Sequence, residues 1–297
     1  MMFPLIWIPA TVLASFFQVA RNGLQRSILP TAGPWGATLV RFLFGLPFSL
    51  AFVAAAAAFT PAARAHFTPE FWFGATTGAL GQVVATASLL VAMRRAGFAV
   101  GTALQQSSLP LAAILGLIIF HDRLNAIAWI GVAITTFGLA VLTWPKDAIG
   151  EQPVSGAAFG LGSGLCFGFS LNAVRHATIA MDAAHPVFAA VASVSVVQAM
   201  QSVGLLVWIG FRHPSALAAI GRSWRQSLAA GLCGAIASAL WFLALALAPA
   251  APVRAVGVVE APIAAIAGRR FFAERLHARQ LIAGLAVICG VVMTSLH

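Results

Sequence analysis

Charge is scarce in this chain. Lysine, arginine, aspartate and glutamate together make up 8% of 297 residues, against roughly a quarter in soluble domains, which excludes a water-solvated globule. Cysteine is scarcer still. Cys166, Cys233 and Cys289 each stand alone in a different apolar segment, a distribution that gives neither a disulfide framework nor metal-ligand spacing; all three are expected to be small buried residues. No glycine-rich nucleotide-binding loop occurs, so ATP is not an energy source within this chain, and no cofactor is expected. The seven histidines fall in loops, at helix ends or at the terminus, without ligand or nucleophile spacing. That disfavours a membrane-embedded enzyme such as a lipid transferase.

What the chain has instead is apolar surface: 61% hydrophobic residues and a mean hydropathy of +0.95. Ten apolar segments can be drawn, at 3–20, 35–59, 71–92, 98–120, 126–142, 155–173, 186–211, 228–247, 255–272 and 281–296. Each is near the ~20 residues that cross a bilayer as helix, and together they leave no room for a soluble domain. The first lacks a basic start and a cleavage site, so it reads as a span and not a removable signal. The formal charge of +10 is spread over short loops, which favours a role in orientation over nucleic-acid binding. Odd-numbered loops carry twelve basic residues, Arg21 among them, and even-numbered loops four: Arg64, Arg123, Arg175 and Arg254. By the positive-inside rule the odd loops face the cytoplasm and both termini lie outside.

One pattern occurs twice. PLAAILGLIIFHDRL at 110–124 and PIAAIAGRRFFAERL at 262–276 are 152 residues apart (262 − 110), and the register continues through Ile130/Ile282 and Gly138/Gly290. The chain therefore reads as two copies of a five-span unit, residues 1–146 and 155–297, joined by a linker loop at 147–154. An odd number of spans per copy inverts the second relative to the first, the arrangement of secondary transporters whose substrate site lies where the repeats meet. The fold class expected is an all-α polytopic membrane protein, ten transmembrane helices in two inverted repeats around a central cavity.

These paired motifs, each followed by an apolar span with an internal glycine, resemble the signature of the drug/metabolite transporter superfamily, EamA-like branch. LVRFLFGLPFSL at 39–50, AMRRAGFAVGTALQQ at 92–106 and LALALAPAAPVRAVG at 243–257 strengthen the resemblance, which covers nearly the whole chain. It implies a ten-helix basket in the bacterial inner membrane that moves amino acids, other small metabolites or drugs, often outward, with both termini inside. His121-Asp122 stands where the family usually has glycine-glutamate.

A charge inside a bilayer costs several kcal/mol, so an intramembrane ionisable residue is a site candidate by default. Glu260 and Arg41 stand out. Glu260 lies about 9 Å along its helix from Arg254 at ~1.5 Å per residue, and a carboxylate there suits proton coupling or, alternatively, caps a helix entrance. Arg41 either binds a substrate carboxylate or phosphate or snorkels to the surface. Pro110 and Pro262 each lack an N–H and obstruct the carbonyl four residues earlier, at Gln106 and Val258, so both helices should break and expose polar backbone. Gln105, Gln106, Ser107 and Ser108 surround the first break and Glu260 the second. Gln82 and Trp241 are further candidates for ligand contact, each equally explained by helix packing. Asp122-Arg123 and Glu274-Arg275 close the repeated helices in symmetric positions and suggest a structural or gating pair. The partners expected are a small-molecule substrate, membrane lipid and protons. The leading function is a secondary carrier of an amino acid-like metabolite or a drug; a flippase for a lipid-linked metabolite shares the fold.

Overall fold

The computed structural model describes residues 5–120, 124–143, 153–272, 286, 289, 290, 292 and 293. Asp122, Arg123, Glu274 and Arg275, and most of the segments at 147–154 and 281–296, lie outside the described residues.

Every regular element among the described residues is helical: α1 (Trp7–Leu43), α2 (Leu46–Phe59), α3 (Pro69–Ala96), α4 (Phe98–Gln105), α5 (Ser108–Phe120), α6 (Ala126–Thr143), α7 (Pro153–Asp182), α8 (Pro186–Arg212), α9 (Pro214–Arg222), α10 (Trp224–Leu247), α11 (Ala250–Gly257) and α12 (Glu260–Phe272). Among the described residues, seven apolar helical stretches are long enough to cross a membrane. The first, Trp7–Phe59, has 53 residues, about 80 Å at the helical rise and well over twice a hydrocarbon core. It is broken at Gly33, whose φ of 67° and ψ of 175° are non-helical. α1 is thus two helices, and the first runs well past the 3–20 expected.

Polarity is inside out. α2 buries only Ser49 of its fourteen residues, while Leu50 and Phe59 are exposed; Gln18, Asn22, Gln25, Gln105, Gln106, Gln198 and Gln201 are buried. Water would reverse that sorting, whereas lipid has nothing with which to hydrogen-bond an amide. The chain is an integral membrane protein. The cysteines follow the same logic and correct the expectation of burial: Cys166 and Cys233 are half-buried and Cys289 is exposed, because a thiol on a lipid-facing surface loses nothing.

The chain divides into two compact units. Unit 1 comprises Met1–Val83 and Ala173–Ala248. In it α10 packs along α1, with α8 against both, around a core of Ile28, Leu39, Phe42, Leu205, Ile209 and Ile220. Close approach requires glycine here: a Cβ on Gly231 would collide with the carbonyl group of Phe44.

Unit 2 comprises Val84–Asn172 and Pro249–His297. Gly156, Gly160, Gly164 and Gly168 of α7 lie on Ala96, Leu104, Ser107 and Leu111 in turn, one contact per helical turn, as small-residue faces do in lipid. α4 packs on α12 and α5 on α11, a reciprocal pairing in which the front half of each broken helix meets the rear half of the other. Within each unit, then, residues from both halves of the sequence pack together.

Candidate functional site

Both predicted helix breaks are present, and they match. α4 and α5 occupy 98–105 and 108–120, α11 and α12 occupy 250–257 and 260–272, so all four boundaries repeat at the offset of 152 found in the sequence. The hydrogen bonding repeats too. Gln106, Ser107 and Leu109 donate their amides to Ala103, Leu104 and Gln106; Val258, Val259 and Ala261 donate theirs to Ala255, Val256 and Val258. Each break is one tight turn of i to i+3 bonds. One expectation needs correction. The carbonyls of Gln106 and Val258, obstructed by the prolines, are not left exposed, because Leu109 donates to the first at 3.0 Å and Ala261 to the second at 2.9 Å. The prolines redirect those bonds by one residue, and what the breaks present is side chain.

Those side chains form a closed ring within unit 2. Arg254 donates from Nε to Ser108 Oγ at 2.6 Å, from Nη1 to Glu260 Oε1 at 3.3 Å and from Nη2 to Gln106 Oε1 at 2.5 Å. Gln106 Nε2 donates to Glu260 Oε2 at 3.0 Å. Each nitrogen of the guanidinium, both carboxylate oxygens and both ends of the amide are used. Arg254 is 2% exposed and Glu260, Gln106 and Ser108 are fully buried. Such a pair persists in low dielectric because its remaining donors and acceptors are satisfied, and removing one partner leaves a buried charge. Subtracting 152 from Arg254 and Glu260 gives Thr102 and Ser108: at the first break the equivalent positions are hydroxyls, at the second an ion pair.

Arg254 is the residue that sequence reasoning missed. Counted as a loop residue, it lies inside α11, and Arg21, counted likewise, lies inside α1, fully buried. Buried arginines therefore include Arg21, Arg41 and Arg254, not Arg41 alone. The signal available was the six-residue spacing to Glu260 across the proline break, at positions matching Thr102 and Ser108.

The other candidates are distributed as follows. Gln105 is buried, and its side-chain carbonyl has no hydrogen-bond partner among the described residues. Ser107 faces Gly164, where a Cβ would collide with its hydroxyl. Pro110 and Pro262 follow the two breaks within the first turn of α5 and α12. In unit 1, Arg41 is buried in the last turn of α1, its guanidinium 5.0 Å from the Phe42 ring centre and Nη2 3.5 Å from Ser238 Oγ. The stems of Arg41 and Arg21 both flank Gly234, at 3.2 Å from a Cβ built there. Trp241 is buried one turn beyond Ser238 on the same helix. Gln82 accepts from Gln201 Nε2 at 3.3 Å, and that amide also donates to the Ala79 carbonyl at 3.1 Å, a helix-to-helix bridge. No group of three or more potential metal ligands occurs among the described residues.

No protein-family model matches the chain, and no curated protein matches it. Among solved structures, one described only as the crystal structure of a protein is similar over 99% of this chain and 95% of its own, with a TM-score of 0.66 at 17% identity. That likeness establishes a shared fold.

Proposed function

We propose that this chain is a secondary carrier of the drug/metabolite transporter superfamily, EamA-like branch. In this reading it has ten transmembrane helices in two inverted five-helix repeats, lies in the bacterial inner membrane, and exports a small amino acid-like metabolite or drug by alternating access. It is not an enzyme. The observation that carries the reading is the buried ring of Arg254, Glu260, Gln106 and Ser108 at two matched helix breaks. Discontinuous helices with converging polar groups are how carriers hold substrate and coupling ions at membrane depth. The reciprocal packing of α4 on α12 and α5 on α11 is what a two-fold axis between the copies produces.

Glu260 is the coupling group in this mechanism. Neutralised by a proton it no longer holds the Arg254 guanidinium, which is then available to a substrate carboxylate; substrate release lets the pair re-form. Arg254 cannot lose its own charge, so the proton exchanges at Glu260. The test is uptake and efflux of labelled amino acids in proteoliposomes under an imposed pH gradient. Transport that follows the gradient in the parent and loses that dependence in Glu260→Gln is the expected result. Amino acid transport indifferent to both gradient and substitution would overturn the coupling role.

A further inference from the structure

A second feature lies in unit 1. α9 is a nine-residue helix laid between the end of α8 and the start of α10. Ala216, Ala219 and Ile220 are its buried face, seated on α1 where Gly36 has no side chain to intervene: a Cβ there would lie 3.3 Å from that of Ala216. Ser215, Ala218 and Arg222 face outward, exposed. Around this short helix the chain concentrates one charge sign and one kind of ring. Arg212, His213, Arg222 and Arg225 occur within fourteen residues, and no aspartate or glutamate occurs between Asp182 and Glu260. The Arg212 guanidinium is 5.5 Å from the Trp208 ring centre and that of Arg225 is 5.4 Å from Trp224. Both tryptophans are about half exposed, and Phe211 is 86% exposed.

Beside α9 is a cavity of 260 Å³ lined by the Gly33 turn, Thr31, Trp35, His213 and Ser215. It is smaller than the roughly 300–1,000 Å³ of sites for drug-sized ligands. The start of α9, with Pro214 in its first turn after His213, gives that cavity the positive end of a helix dipole.

We infer that the α9 surface binds the headgroup of an anionic phospholipid. The phosphate sits in the cavity at the start of α9, Arg212, Arg222 and Arg225 neutralise the surrounding headgroups, and Trp208, Phe211 and Trp224 enter the boundary between headgroup and acyl chain. Exposed tryptophan beside exposed arginine fits that layer, where one side of the residue is wet and the other apolar. Basic clusters next to a span recognise anionic lipid by charge. The inference is independent of what the chain transports.

The experiment uses the purified full chain in neutral detergent, titrated with phosphatidylglycerol or phosphatidylcholine, with retained lipid read by native mass spectrometry and stability by thermal unfolding. Phosphatidylglycerol is expected to be retained and to raise Tm, phosphatidylcholine not. Affinity for it should fall roughly fivefold per arginine in R212Q/R222Q/R225Q, about 1 kcal/mol each. R269Q/R270Q removes two exposed charges from α12 and should leave the affinity unchanged. Ser215→Trp, filling the cavity from its rim, should abolish retention. Equal retention of phosphatidylcholine, equal loss in R269Q/R270Q, or full reproduction of the effect by inorganic phosphate would each overturn the assignment. Should the triple variant fail to fold, Arg222→Gln and Arg225→Gln singly, both at exposed positions, give the same reading.

Discussion

Replacing Glu260 and replacing Arg254 should not be equally costly, although they are the two ends of one ion pair. Glu260→Gln leaves the guanidinium fully buried with neutral acceptors only, and arginine has no neutral form to fall back on. Breaking a buried pair this way costs roughly 3–5 kcal/mol, on the order of 10 °C in Tm. Arg254→Gln leaves a carboxylate that still accepts from Gln106 at 3.0 Å and can take up a proton, so its cost is limited to lost hydrogen bonds at about 1–3 kcal/mol. The double variant R254M/E260L removes both charges and leaves only the Gln106 amide and the Ser108 hydroxyl wanting partners, again about 1–3 kcal/mol. The expected order of Tm at neutral pH is parent, then Arg254→Gln close to the double variant, then Glu260→Gln lowest. The assay is thermal unfolding of each purified variant in one detergent. A Glu260→Gln protein as stable as the parent, or a double variant less stable than either single, would refute the reasoning.

Two further stability predictions use glycines. Gly164→Ala drives a methyl towards the Ser107 hydroxyl and within 2.9 Å of the Gln105 carbonyl oxygen, and should cost about 1–3 kcal/mol as overpacking, whereas Gly162→Ala, with nothing within 4 Å, should be neutral or slightly stabilising; thermal unfolding of the pair checks both. Gly33→Ala also meets nothing within 4 Å, yet its φ of +67° at ψ 175° is a region open in practice to glycine alone, so it should lose about 1–3 kcal/mol, while Gly23→Ala, equally uncrowded and within the first part of α1, should gain up to about 1 kcal/mol.

The membrane class was legible because it depends on sums. Apolar runs, scarce charge and the hydropathy of each segment are properties of composition, and a bilayer selects on composition. The helix breaks were legible as well, since Pro110 and Pro262 act through local sterics that need no knowledge of neighbours. Less legible was where the first helix turns. Gly33 sits between Pro30 and Pro34, and any of the three could have marked the break; positive φ singled out the glycine. The outcome for the obstructed carbonyls was illegible for a different reason: shifting a hydrogen bond from i+4 to i+3 is a small relaxation of the turn itself, and residue identities do not say whether backbone or side chain will take the bond.

Arg254 shows where reading a membrane sequence goes astray. An arginine near the end of an apolar segment normally marks the aqueous boundary, because long basic side chains reach for water, and on that rule it was assigned to a loop. The rule assumes that water is the best partner within reach. Here Ser108, Gln106 and Glu260 together offer acceptors to every nitrogen of the guanidinium, and two of the three, Ser108 and Gln106, are 146 and 148 residues away in sequence and reach it only by folding. The repeat offered a way round the difficulty. Positions related by 152 residues share the same hydrogen-bonded turn, so a pair that is Thr102 and Ser108 at one break and Arg254 and Glu260 at the other marks where only one break carries charge. The first break is built with the same hydrogen-bonded turn and no charges at those positions. Of the two breaks, the second alone pairs a buried acid with a buried base, Glu260 with Arg254, and under the proposed mechanism that is where a proton or an anion acts.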